Sequence, residues 1–493
     1  MKKTDSICPV CLRKLKTDII FEDDKVFLRK NCEHHGEFKA LNWQSTKVYN
    51  FVEKFDYFRY FMNFHRNVRA SDSEECPYAC GLCSEHLSKT VIAVIDLTKR
   101  CDLHCPICFA SFPENELNYQ PSKQKIFKML SFLNKLDPRP PAVLFSGGEP
   151  LLREDLCEIV RFAHDLGFLT ILATNGLKIA QNPDLAAKLK KSGLNVVYLQ
   201  FDGLDRSINE KLRGKRLIDE KLKVIQLCRK YDIEIILVPT LIRGVNDDQI
   251  GEIVRFAAKN SDIIRGLVFQ PIAFTGRASD NPHMNEWIYH TFAEEIEKST
   301  SGEIRATDLF PLSIMTPPII VMRRFMKKPW PLFSCSPHCG IVNWIYVSKD
   351  GHLVPINRLL DFEKFFGILL KLSESIESKG RIQILLTLFI AALKSLNWSL
   401  VHKEIGLLNF FKTVLRMHIS PTYKSLGTIR RRIFLLGSMA FMDRYSFDLN
   451  RLRRCVIHYV TPDLGIIPFC AYNNIYRPRI EAKYSEKEIA LKV

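Results

Sequence analysis

The sequence predicts an α/β fold whose centre is a partial (β/α)6 barrel of the TIM type with parallel strands. Two observations favour it. From about residue 91 to residue 300, short apolar segments alternate with charged segments of helical periodicity. Such alternation is typical of parallel strands that are joined by crossover helices. Six apolar segments have the length of strands: Val91–Leu97, Val143–Phe145, Leu169–Ala173, Val196–Phe201, Glu234–Pro239 and Gly266–Gln270.

Cysteine-rich regions flank the predicted barrel on both sides. A small metal knuckle on a hairpin comes first, followed by a linking helix, Phe51 to Phe64, and an auxiliary cysteine loop. After the barrel, Pro311 and the pair Pro317-Pro318 mark a boundary to a helical region with further cysteines. The predicted domains are, in chain order, residues 1–50, 51–90, 91–300 and 301–493.

Composition narrows the class of protein. The chain has 493 residues, of which 46% are hydrophobic, and this is enough for more than one domain. Its 71 Lys and Arg exceed its 54 Asp and Glu, which gives a net charge of +17 and suits contact with an anionic surface. Net charge is the one feature that would suggest binding to nucleic acid. We therefore do not expect nucleic acid as a partner.

The sequence also carries signals of location. The first residues lack the apolar stretch of a signal peptide, and the fifteen cysteines fall in clusters that suit metal ligation in a reducing cytoplasm. The longest apolar run, Ile382 to Leu393, is shorter than the about twenty residues that a bilayer crossing needs. We expect a buried helix there, or one at an interface, in a cytoplasmic protein with peripheral contact at the inner face of the membrane.

The first motif is a loop with three cysteines, Cys101, Cys105 and Cys108, directly after the first predicted strand. Three thiolates in one short loop can hold three irons of a [4Fe–4S] cluster and leave the fourth iron open to a small molecule. A zinc knuckle with a distant fourth ligand is the alternative that this spacing leaves open.

The second motif is Gly147-Gly148-Glu149-Pro150, which follows the second predicted strand. Two glycines let the backbone approach a ligand closely, and Glu149 can accept a hydrogen bond from an ammonium group. The two motifs occur in this order, and each follows a strand. In this the chain resembles the radical S-adenosylmethionine superfamily.

That resemblance implies a cofactor and a chemistry. S-adenosylmethionine would chelate the open iron, and an electron from a donor such as ferredoxin or flavodoxin would cleave it to a 5′-deoxyadenosyl radical. In such folds ligands sit at the C-terminal ends of parallel strands. Polar residues at two further strand ends are therefore candidates for the cofactor pocket, with ordinary loop caps as the alternative: Thr174, Asn175, Gln200 and Asp202.

Two further groups of cysteines have the spacing of auxiliary clusters. Cys335, Cys339, Cys455 and Cys470 offer four thiolates, which would close a cluster and suit electron transfer, with tetrahedral zinc as the alternative. A group before the barrel repeats the CxxxCxxC spacing, and His86 is a candidate for its unclear fourth ligand: Cys76, Cys80 and Cys83.

A mononuclear metal site is predicted at the N-terminus. Cys8, Cys11, Cys32 and His35 have the C-x2-C…C-x2-H spacing of such a site. Zinc and a rubredoxin-like iron both fit this set of ligands, and the sequence does not choose between them.

The whole layout is similar to the archaeal tetraether lipid synthase group, also described as class D radical methylases acting on pterins. The shared features include Cys-Pro-Tyr-Ala-Cys-Gly-Leu-Cys from residue 76, Ser-Cys-Ser-Pro-His-Cys-Gly from residue 334 and Cys-Val-Ile-His-Tyr from residue 455. The resemblance implies three [4Fe–4S] clusters and one mononuclear iron. Many relatives have a cysteine where this chain has Val91, which leaves the site of Cys76, Cys80 and Cys83 in doubt.

Three functions follow from these motifs. The first expectation is radical coupling of unactivated carbons of two lipid chains, as in tetraether synthesis, because the Phe-rich, basic C-terminal region suits a lipid. The alternative is methyl or methylene transfer to a pterin. A non-enzymatic iron–sulfur electron-transfer protein is the third, and the intact Gly147-Gly148-Glu149 motif argues against it. A lipid site would be long and apolar, whereas a pterin site would be compact and polar.

Overall fold

The computed structural model describes residues 2–57, 76–80, 83, 85–110, 119–280, 292–327, 329–419 and 427–490. The N-terminal unit is an antiparallel sheet of four strands in sequential order: β1 Lys2–Ile7, β2 Lys14–Glu22, β3 Lys25–Cys32 and β4 Gly36–Trp43. Asp23 and Asp24 form the two-residue turn between β2 and β3, both with positive φ, as such hairpins require.

Helix α1, Thr46–Glu53, follows the N-terminal sheet. The Ser45 hydroxyl caps it by accepting a hydrogen bond from the backbone N–H of Val48. Of the linking helix predicted from Phe51 to Phe64, the first three residues belong to α1, and the residues from 58 onward lie outside the described ranges.

The central sheet confirms the predicted α/β barrel. Its neighbouring strands run parallel in chain order: β5 Ile92–Thr98, β6 Ala142–Gly147, β7 Leu169–Thr174, β8 Val196–Gln200, β9 Glu234–Val238 and β11 Ile264–Pro271. The short strand β10, Thr240–Leu241, lies off this order and pairs parallel with the end of β11. The crossover helices are α2 Lys123–Asn134, α3 Leu156–Asp165, α4 Leu177–Gln181, α5 Pro183–Lys191, α6 Arg206–Arg213, α7 Ile218–Tyr231, α8 Ile250–Lys259 and α9 Phe292–Ser299. Each predicted strand agrees with an observed one to within two residues at either end.

Along each strand, successive side chains point to opposite faces of this sheet. Val143 and Phe145 of β6 face the helices and join the main hydrophobic core. Ala142 and Leu144 face the opposite side, the lumen, with Tyr198 of β8. A strand that is apolar on both faces is what a parallel sheet covered on both sides requires.

The C-terminal region extends the same sheet at both of its edges. Its strands are β12 Phe310–Pro311, β13 Gly340–Val347, β14 Leu353–Pro355, β15 Ile433–Met439, β16 Ile457–Val460 and β17 Ile466–Pro468. Strand β15 pairs parallel with β11, and β16 pairs parallel with β5. The expected boundary near residue 300 therefore does not divide the sheet. An open sheet leaves unpaired backbone groups at its edges, and these late strands satisfy them.

Helices make up most of the rest of this region, as predicted. They are α10 Thr316–Met326, α11 Ile356–Leu359, α12 Phe362–Glu374, α13 Arg381–Ser395, α14 Trp398–Glu404, α15 Leu407–Ile419, α16 Gly427–Arg430, α17 Leu449–Arg453, α18 Phe469–Ala471 and α19 Arg477–Ala490. A π-helical turn, Tyr472–Tyr476, joins α18 to α19. Among the described residues, no helix combines the length and the apolar character needed to cross a bilayer.

Candidate active site and metal centres

The loop that carries Cys101, Cys105 and Cys108 begins three residues after β5 ends. Arginine side chains hold its backbone in place. Arg277 donates from Nη1 to the carbonyl of Cys105 at 2.8 Å, and Arg213 donates from Nη1 to the carbonyl of Ile107 at 3.0 Å. These contacts fix the direction in which the three thiols project.

The neighbouring Gly276 also shapes this loop. Its φ is +63°, and a Cβ there would lie 2.3 Å from the carbonyl oxygen of Cys108. Only glycine permits this approach, because any side chain would displace the backbone of a cluster ligand.

The chemistry of the three thiols fits a cluster. Burial, together with Glu149 and the neighbouring Cys105 and Cys108, raises the pKa of Cys101 to about 12. Such thiols are unfavourable as bare thiolates and are stabilised when they bind iron.

The glycine turn lies directly against the cysteine loop. The backbone N–H of Gly148 donates to the carbonyl of Thr98 at 2.7 Å, and that of Glu149 donates to the carbonyl of Arg100 at 2.8 Å. A Cβ on Gly148 would lie 2.3 Å from the carbonyl oxygen of Arg100, and one on Gly147 would lie 2.3 Å from that of Thr98. The two sequence motifs therefore form one continuous backbone surface.

The Glu149 carboxylate is engaged by the chain itself. It accepts hydrogen bonds from the Thr174 hydroxyl at 2.8 Å, from the backbone N–H of Asn175 at 2.8 Å and from that of Leu151 at 3.0 Å. Burial raises the pKa of Glu149 to about 7, although these hydrogen bonds oppose the shift. The side chain thus joins the ends of β6 and β7, and its contact with an ammonium group stays a prediction. Pro150, the last residue of the motif, is buried at the start of a short 3-10 turn.

Asp202, a candidate for the cofactor pocket with a loop cap as the alternative, is held by side chains and backbone of the chain itself. Its carboxylate is fully buried and accepts hydrogen bonds from Arg213 at 2.7 and 2.8 Å and from the backbone N–H of Thr240 at 3.0 Å. Burial favours a raised pKa for Asp202, but the Arg213 guanidinium outweighs it, and the pKa is lowered. Gln200 donates to the same carboxylate at 2.6 Å. Asp202 is therefore a positioning residue for Arg213, which in turn holds the cysteine loop.

Two buried, positively charged side chains near the site belong to no motif that the sequence analysis identified. Arg213 is 8% exposed and lies near the thiols of Cys105 and Cys108. Lys221 is 1% exposed and donates to the carbonyl of Asn175 and to Oε1 of Gln200. In the sequence both residues look like solvated charges on amphipathic helices. The one available signal is Gly214, which ends α6 directly after Arg213.

The N-terminal ligands form a compact site. The Sγ atoms of Cys11 and Cys32 are 3.9 Å apart, and Nδ1 of His35 lies 3.7 Å from Sγ of Cys8 and 3.5 Å from Sγ of Cys32. A tetrahedral ion with bonds of about 2.3 Å to sulfur and 2.0–2.1 Å to nitrogen separates its ligands by about 3.8 and 3.6 Å. The predicted mononuclear site is thus formed in the fold, with all four ligand atoms within 4.8 Å.

The fold brings together the four late cysteines, which lie up to 135 positions apart in the sequence. Burial raises the pKa of Cys455, and the nearby Cys470 and Cys339 raise it further. Cys335 lies beside Cys339 in a separate small apolar cluster that also contains Val91. Arg451 is buried next to Cys339 and Cys470, and it supplies a positive charge there. Cys339, Cys455 and Cys470 therefore lie near one another, with Cys335 beside Cys339, and the auxiliary site of these four thiols stays a prediction.

The other auxiliary cysteines line a small cavity with His86: Cys76, Cys80 and Cys83. Nε2 of His86 lies 3.0 Å from both the carbonyl of Cys455 and Nε2 of His458. Burial raises the pKa of Cys80, and Cys455 is one of the thiols that raise it further. The two auxiliary sites are therefore neighbours. Val91 packs near Cys335, on the side of the four-cysteine site.

Comparison with known proteins agrees with this architecture. Residues 95–257 match the family model of the radical SAM superfamily, and residues 1–44 match the model of the HMPTM N-terminal zinc ribbon domain. Fe-coproporphyrin III synthase of Methanosarcina barkeri is 32% identical over 197 residues, which is 39% of this chain and 46% of that protein. The structure of Streptococcus suis SuiB bound to S-adenosylmethionine covers 57% of this chain and 68% of its own at 16% identity, with a TM-score of 0.36 that is too low to carry an argument.

One relative matches nearly the whole chain. The 7,8-dihydro-6-hydroxymethylpterin dimethyltransferase of Methanocaldococcus jannaschii is 38% identical over 492 residues, which is 98% of this chain and 96% of that protein. The chain is accordingly an enzyme that uses [4Fe–4S] clusters, S-adenosylmethionine and a mononuclear metal. It belongs to the radical SAM superfamily and, within it, to the family of this pterin dimethyltransferase.

Proposed function

We propose that this enzyme transfers a one-carbon group to a carbon atom of a pterin by radical chemistry. The observation that carries the proposal is the similarity to the pterin dimethyltransferase, which runs from the N-terminal metal site through the late cysteines. The sequence alone favoured coupling of lipid chains. The full-length relative instead supports the pterin alternative.

Polar groups on the lumen side of the barrel support a compact, polar substrate. Nε2 of Gln270 donates to the Tyr198 hydroxyl at 2.7 Å, at the C-terminal end of the strands. Asp96 of β5 is 3% exposed, and its Oδ2 accepts a hydrogen bond from Arg477 at 2.7 Å. Its Oδ1 has no hydrogen-bond partner among the described residues. A pterin edge offers adjacent N–H donors, which a carboxylate with a free oxygen can accept.

In this reaction the chain's own residues would bind and orient the cluster and the cofactor. When bound, the cofactor supplies a 5′-deoxyadenosyl radical. Cys101, Cys105 and Cys108 would hold the cluster, and the Gly147-Gly148 turn packs closely against the loop that carries them. Arg213 balances the negative charge of the thiolates in a buried setting, where an unpaired charge would be costly.

The test is anaerobic reconstitution of the full chain, followed by reduction with dithionite in the presence of S-adenosylmethionine. We expect 7,8-dihydro-6-hydroxymethylpterin to stimulate formation of 5′-deoxyadenosine, and a diether phospholipid to leave it at the background rate. Cys105→Ala is the control and should abolish the reaction. Stimulation by the phospholipid alone would contradict the proposal and restore lipid coupling.

A further inference from the structure

Helix α13 exposes a stripe of large apolar side chains. Six of them follow a spacing of three and four residues along the helix: Ile382, Leu385, Leu386, Phe389, Ile390 and Leu393. Ile382 is 82% exposed and Phe389 is 61% exposed. The opposite face, with Ile384 and Ala391, is buried. A helix that is apolar all round is normally buried, so the exposed stripe indicates a contact beyond the residues that the structure describes.

The apolar surface continues onto α15. Leu407, Leu408 and Phe411 are exposed there, and Leu408 is 78% exposed. Trp398 connects the two helices, because its Nε1 donates to the carbonyl of Leu393 and its ring stacks on Phe411 with centroids 6.2 Å apart. We call the α13 stripe, Trp398 and these three α15 residues the apolar face.

The charged residues around the apolar face are mostly basic. Between residues 381 and 413 there are four basic residues, Arg381, Lys394, Lys403 and Lys412, and one acidic residue, Glu404. The Glu404 side chain is 12% exposed and lies 3.9 Å from Lys403. The exposed surface there therefore offers apolar side chains with a basic border.

Apolar side chains with a basic border favour an anionic bilayer over a second copy of the chain as the partner. A second copy of the chain would place one basic border against another, which is unfavourable. A bilayer with anionic headgroups satisfies both features, since acyl chains take up the apolar side chains and headgroups pair with lysine and arginine. A tryptophan between the two helices also suits the level of the headgroups.

We propose that the apolar face docks on an anionic lipid bilayer, with α13 and α15 lying in the plane of the interface. Helix α13 has 15 residues, so its length of about 22 Å is below the about 30 Å of the hydrocarbon core. The contact is therefore peripheral. It does not depend on which substrate the barrel accepts.

The experiment uses the reconstituted full chain with vesicles of phosphatidylcholine, with and without about one-third phosphatidylglycerol, in a flotation assay. We expect binding to the anionic vesicles that weakens as salt is raised. The double variant Leu386→Gln, Phe389→Gln should bind at least tenfold more weakly. Lys394→Glu should lower binding to anionic vesicles, because it removes a positive charge from the border.

Controls separate docking from folding and from catalysis. Leu169 is 45% exposed and lies outside the apolar face, so Leu169→Gln should bind as the parent does. Because Leu386 and Phe389 are exposed, their double variant should keep the parental melting temperature and the parental rate of S-adenosylmethionine cleavage without vesicles. Absence of binding to anionic vesicles would overturn the proposal. So would a parental dimer that the double variant abolishes in sedimentation velocity, because the face would then join two copies.

Discussion

The side-chain amide of Asn175 donates a hydrogen bond of 2.7 Å to the carboxylate of Asp102, and so joins the end of β7 to the cysteine loop. The backbone N–H of the same Asn175 donates to Glu149 at 2.8 Å. One residue thus connects the loop that holds the cluster to the turn that follows the two glycines. The relative placement of the two motifs depends on it.

Asp102→Ala should slow the formation of 5′-deoxyadenosine about tenfold. It removes a hydrogen bond to a charged acceptor, which contributes on the order of 1.5–3 kcal/mol, and so loosens the loop between Cys101 and Cys105. The measurement is the initial rate at equal iron content. Asp102→Asn is the matched control, since it keeps an acceptor oxygen and should lose less. Equal rates for the parent and Asp102→Ala would show that the contact does not position the loop.

Gly148→Ala should destabilise the protein, because its Cβ would lie 2.3 Å from the carbonyl oxygen of Arg100. Overpacking of this kind costs about 1–3 kcal/mol in the free energy of unfolding, measured by urea denaturation. Gly367 lies in α12 with nothing within 4 Å of an added Cβ, so Gly367→Ala is the control and should be neutral or stabilising. If the two alanine variants were equally stable, the close approach would not constrain position 148.

Much of the barrel could be predicted from the sequence, and the reason is local. The strand Val196–Gln200 is a short apolar run before Asp202, and its identity does not depend on distant residues. Strand β15 was missed, because Ile433–Met439 follows three arginines in a region of helical patterning. Its pairing with β11 is satisfied only by residues about 170 positions away, and no local pattern encodes that.

The same distinction applies to the candidate site, where local spacing could be predicted and contacts between distant residues could not. Cysteine spacing indicated the N-terminal metal site, because its four ligands come as two close pairs, Cys8 with Cys11 and Cys32 with His35. The role of Asp202 could not be read from its position at a strand end, since a polar residue there can contact a ligand or a buried partner equally well. Its partner Arg213 lies on the next helix, and only the folded chain shows that the two meet at 2.7 Å.

Arg213→Met should destabilise the protein strongly at neutral pH. It leaves Asp202 buried without its counter-charge, which costs about 3–5 kcal/mol, and it frees the carbonyl of Ile107. The folded-state pKa of Asp202 is lowered, so the pair stabilises the protein above the ordinary pKa of 3.8 and loses that contribution as the pH falls through the lowered value. Unfolding in urea at pH 7 and at a series of pH values below 3.8 measures this. The double variant Arg213→Met, Asp202→Asn should recover part of the loss, and no recovery would mean that the pair is not the cause.

Lys221 should make a contribution to the stability of the parent that rises with pH above about 8. Burial lowers its pKa from 10.5 to about 8, so between these values the unfolded chain binds one more proton than the folded chain. Stability then increases with pH by at most about 1.4 kcal/mol per unit for this group. Lys221→Met should remove that part of the slope when free energies of unfolding are compared from pH 7.5 to 10. Lys30, with a pKa also lowered to about 8 by burial, keeps its own contribution in both proteins, so an unchanged slope in Lys221→Met would show that Lys221 titrates normally in the folded state.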